Sequence, residues 1–78
     1  MHKVELQNEQ DMLDRIKRVV DAACARIQSG GLTREEASAL AESVRAHVER
    51  IVPDQMATYD LIYGARFRRL IEQFIPQA

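Results

Sequence analysis

Seventy-eight residues, 46% of them apolar and 29% charged, describe one small folded domain and exclude a disordered segment. The formal net charge of −1 excludes the strong one-signed field that steers nucleic acid or an anionic membrane. A single cysteine, Cys24, excludes a disulfide within the chain.

Residues 1 to 7 are weakly patterned. Val4 and Leu6 alternate with charged neighbours over too few positions to specify a strand, so the segment reads as an arm. The first helix is expected over 8–28. Asn8 suits the N-cap, and Glu9 and Asp11 place negative charge in the first turn, where the helix dipole favours it. Leu13, Ile16, Val20, Ala23 or Cys24, and Ile27 recur at helical spacing and form its core stripe. Leu6, Leu13, Val20 and Ile27 are also seven apart, a short coiled-coil-like seam.

Ser29-Gly30-Gly31 ends that helix, because glycine accepts a left-handed backbone at a helix C-terminus. Thr33-Arg34-Glu35-Glu36 then has the form of a capping box, with hydroxyl and carboxylate each satisfying the other residue's amide. It opens a second helix over 33–52. The apolar face of that helix is Ala37, Leu40, Ala41, Val44, Val48 and Ile51; on the other side Glu42 and Arg45 can pair across one turn. Pro53 stops it, since proline disfavours helical geometry in Val52 before it.

A third helix is expected over 54–75, capped by Asp54, with Thr58 as the later alternative, and closed by Pro76. It contains every aromatic of the chain, and Met56, Tyr59, Tyr63, Phe67, Leu70 and Phe74 fall on one helical stripe. The connections are short, so neighbouring helices run antiparallel. The fold class is therefore all-α, an up-down-up three-helix bundle occupying residues 1–78 as a single domain.

Leu61-Ile62-Tyr63-Gly64-Ala65 is apolar on every side of the helix. Two covering helices from the same chain hide only part of such a ring, so a second molecule is expected against the rest. A domain of this size buries about 60% of its unfolded surface and commonly needs a support such as association. The chain is accordingly expected to be a homodimer, with Leu61, Ile62, Gly64, Ala65, Tyr59 and Tyr63 in or beside the interface. Gly64, unfavourable inside a helix, is read as allowing close helix approach in preference to a kink.

The chemistry-bearing residues point away from catalysis. Cys24 lies on an apolar stripe and reads as a buried structural thiol. His47 reads as a boundary histidine, and His2, His47 and Cys24 show no metal-ligand spacing. The acidic residues form no pair set for acid–base work. No catalytic residue, metal or cofactor is expected. Arg66, Arg68 and Arg69 are the candidate anion-binding group, but helical rotation sends Arg68 to the side away from Arg66 and Arg69. The function expected first is a non-enzymatic protein–protein interaction module that self-associates. The alternative is a small nucleic-acid-associated regulator using Arg66, Arg68 and Arg69 with Arg45 or Arg50, which the flat charge disfavours. The chain lacks an apolar run near 18 residues, and Met1-His2-Lys3-Val4-Glu5 lacks a signal-peptide core. With a lone thiol, these place the expectation in the cytoplasm, without a membrane partner.

Overall fold

A computed structural model describes the backbone of residues 2–75 and the side chains of residues 10–75. The chain is all-helical, with no strand among the described residues. Helix α1 spans His2–Gln28 and α2 spans Arg34–Ile51. A third helical segment follows over 53–74. It comprises a 3-10 turn at Pro53–Gln55, a short α3 at Met56–Tyr59, a π-helical turn at Asp60–Gly64 and α4 at Ala65–Phe74. Helix α1 packs against both α2 and α4, and α2 packs against α4, so three helical segments share one core.

The arm expected over 1–7 is helical from His2 onward, and Asn8 lies inside α1 rather than capping it. Its Lys, Glu, Leu and Gln residues are good helix formers, and no Gly or Pro interrupts them. Gly30 and Gly31 both take left-handed backbone, with φ of 78° and 82°, and turn the chain toward α2. The capping box at Thr33 forms as expected. The Glu36 amide donates to Thr33 Oγ1 at 3.0 Å, and the Thr33 amide donates to Glu36 Oε1 at 2.9 Å. Helix α2 ends at Ile51, ahead of Pro53, but Asp54 sits within the 3-10 turn and makes no cap bond there.

The core is Ile16, Val20, Cys24 and Ile27 from α1; Val44 and Val48 from α2; and Tyr59, Phe67, Leu70 and Ile71 from the third segment, with Val52 and Met56 at the corner. Leu40, Ala41, Ile51 and Tyr63 are partly buried against it, and two expected core residues are exposed. Leu13 remains 53% exposed, while Met12 beside it packs against the core. Phe74 remains 40% exposed. Ile75 leaves the helix in an extended conformation, φ −112° and ψ 111°, and is buried in its stead.

The third segment is neither the uniform α-helix nor the broken one that Gly64 raised. The Ala65 amide donates to the Asp60 carbonyl, five residues back, which places one extra residue in the turn. The effect on the core is geometric. Tyr59 and Phe67 are eight residues apart, and an unbroken α-helix would set them about 80° apart. Absorbing one residue brings them within about 20°, and both are deeply buried.

Candidate functional site

The π-helical turn faces two clefts, and its residues divide between them. Toward α1 lies an apolar groove of about 430 Å³. Leu13 and Ile16 form its α1 wall, Val48 and Val52 its base, and Ile62 and Tyr63 its opposite wall. Ile62 is 55% exposed, so Leu13 and Ile62 present two large apolar side chains across one opening. Leu61, 79% exposed, points outward beside it. Asp14 and Lys17 are the only charged side chains lining the groove among the described residues.

The expected interface set is therefore dispersed. Ile62 and Tyr63 line the groove, with Tyr63 half-buried and its ring centroid 5.5 Å from that of Tyr59. Tyr59 is a core residue, too buried to offer a partner its ring. Gly64 borders the other cleft, toward α2, and Ala65 is half-buried outside the groove. Within the chain, Gly64 is not a point of close helix approach. A Cβ there would meet only the Asp60 side chain, at 3.7 Å, an ordinary contact.

Two participants were not singled out from sequence. Leu13 reads as core because periodicity places it on the stripe with Ile16 and Val20 and does not report how much of that stripe the partner helices cover. Asp60 is the second. Arg45 grips it with two hydrogen bonds, Nε to Oδ1 at 2.9 Å and Nη2 to Oδ2 at 3.0 Å. The partner expected for Arg45 was Glu42; the structure gives it Asp60, with Glu49 at 3.9 Å. A signal did exist: Asp60 is the only charged residue between Asp54 and Arg66, set beside an apolar run. The Arg45 hydrogen bonds hold the Asp60 carboxyl below its usual range.

The arginines of the candidate anion site separate. Arg66 is half-buried and donates to Asp21 of α1 at 3.3 Å. Arg68 is exposed on the α2 side and borders the second cleft, and Arg69 is exposed. Two groups with chemical potential are muted by burial. The Cys24 thiol is pushed up by desolvation, which disfavours the reactive thiolate. The Tyr59 hydroxyl is pushed up to about 12, again chiefly by burial, and has no hydrogen-bond partner among the described residues. His47 is exposed on the outer face of α2. No helix among the described residues is long and apolar enough to cross a membrane, and none of their His, Cys, Asp and Glu side chains gather in a metal-binding group.

No protein-family model, no curated protein and no solved structure matches the chain.

Proposed function

We propose that the protein is a non-enzymatic helical interaction module that self-associates, with a second copy seated on the Leu13–Ile62 groove. The observation that carries this reading is the pairing of those two exposed residues across one apolar opening. Single exposed apolar side chains are ordinary, whereas a contiguous patch around a concavity is the usual mark of a contact surface.

The groove's charges favour a copy of the same chain over an unrelated partner. Among the described residues one acid and one base line it, Asp14 and Lys17, three residues apart on α1. A twofold axis can bring Asp14 of one copy to the partner's Lys17 and repeat the contact in reverse, so the surface is self-complementary. Association would also relieve the marginal burial of a domain this size. The titratable groups nearest the π-helical turn support a binding role over catalysis: Arg45 and Asp60 neutralise one another, and Cys24 is buried.

Leu13→Glu and Ile62→Glu test the placement. Both positions are already open to solvent, so each variant should keep its helical circular dichroism while shifting the solution mass from dimer toward monomer. Ser43→Glu, on the exposed outer face of α2, should leave the mass unchanged. An Ile62→Glu chain that associates as tightly as the native one would put the contact elsewhere.

A further inference from the structure

The seven-residue seam of α1 is only half used within the chain. Val20 and Ile27 are fully buried in the core, whereas Leu13, one heptad earlier, is exposed, and Leu6 precedes it by another heptad in the sequence. Ile16 is the first buried residue of α1 among those whose side chains are described, although the helix begins at His2. Helix α1 has 27 residues and α2 has 18, so α1 is the longer by about 13 Å at the α-helical rise. A helix without tertiary cover is marginal in water, so the first half of α1 calls for a neighbour that the chain does not supply.

The charges along α1 are sorted by position. From Glu5 to Asp14 the sequence carries four acids, Glu5, Glu9, Asp11 and Asp14, and no base; from Arg15 to Arg18 it carries three bases and no acid. Asp11, Asp14, Arg15, Lys17 and Arg18 are all exposed, and none has an ion-pair partner among the described residues. Two copies of α1 laid parallel would set acids against acids and bases against bases. Laid antiparallel about a point between Asp14 and Lys17, they set the acidic stretch of each copy against the basic stretch of the other.

We infer that the second copy seats its own α1 on the groove, antiparallel to the first, so that the dimer is built on an α1–α1 pair with Ile62 flanking it from each third segment. This rests on the self-association reading and adds the occupant and its direction. Leu13 and Ile62 supply the apolar contact. Asp14 against the partner's Lys17 fixes direction and register more than strength, as exposed charges do. A twofold axis makes each contact twice, so one arrangement satisfies both.

Two measurements on the full chain test the direction. Lys17→Glu and Asp14→Lys, at exposed positions, should each weaken the dimer severalfold by sedimentation, because Asp14 then faces an acid or Lys17 a base. An equimolar mixture of the two variants should associate as tightly as the native chain, since every facing pair is again opposite in sign. The second measurement is the distance between nitroxide labels at Gln28→Cys, an exposed position at the end of α1, with the native thiol removed by Cys24→Ala. Antiparallel helices crossing between Asp14 and Lys17 place the two labels about 40 Å apart, and parallel ones about 10 to 20 Å apart. A mixture no tighter than its parent variants, or a short label distance in a dimer of native mass, would overturn the antiparallel pairing and leave the groove reading in place. A native chain that is monomeric throughout would overturn both.

Discussion

At the scale of single residues, two hydrogen-bonded carboxylates tie stability to pH. The Thr33 backbone amide holds the Glu36 carboxyl below its ordinary range, with the Thr33 side chain adding to it, and Arg45 does the same for Asp60. A carboxylate with a lowered folded-state pKa stabilises the fold above the unfolded value, about pH 4, and that contribution disappears as pH falls through the lowered value. Thermal melts should therefore shift down on acidification, and Asp60→Asn should show a shallower acid loss than the native chain. A parallel acid limb in both would mean that the Arg45–Asp60 pair contributes nothing to it. The same cap predicts that Thr33→Ala costs about 1 kcal/mol. The aromatics give a sharper contrast. Phe67→Ala should cost about 3 to 5 kcal/mol and leave little folded protein, because Phe67 is at the centre of the core. Phe74→Ala, at an exposed position, should cost a small fraction of that in a denaturant titration. Equal midpoints would mean the rotation of α4 is other than described.

At the scale of elements, most of the architecture was legible because it is written locally. The capping box at Thr33, the paired glycines and Pro53 fix where α2 begins, how it is reached and where it stops. What was not legible is set by contacts distant in sequence. The π-helical turn has no local signature of its own; it brings Tyr59 and Phe67, eight positions apart and both buried, closer to one face. Gly64 was read as a packing residue, yet its environment leaves room for a methyl group. Gly64→Ala should therefore raise stability, by up to about 1 kcal/mol from helix propensity. A loss of stability in that variant would show that the turn needs glycine for its backbone. Arg45 and Asp60 are fifteen residues apart, and no helical spacing rule could join them.

At the scale of the whole molecule, the surface left uncovered is the informative part. Helix propensity and periodicity predicted a second molecule against residues 61–65, but only Ile62 and Tyr63 of that run reach the groove; the opposing wall is Leu13, which the stripe had placed inside. The groove proposed for self-association is thus assembled from two helices, each of which misreads when taken alone. The arginine group dissolves for the same reason, since Arg66 turns to Asp21 of α1 while Arg68 faces the α2 side. Self-association through an apolar groove predicts weak dependence on salt, in contrast to a contact made by several phosphate-binding arginines. The most direct test is the solution mass of the native chain by sedimentation equilibrium, from low micromolar to high micromolar concentration at two salt levels. The account predicts a reversible rise from monomer to dimer that salt barely alters. A mass that stays monomeric across the whole range would contradict it.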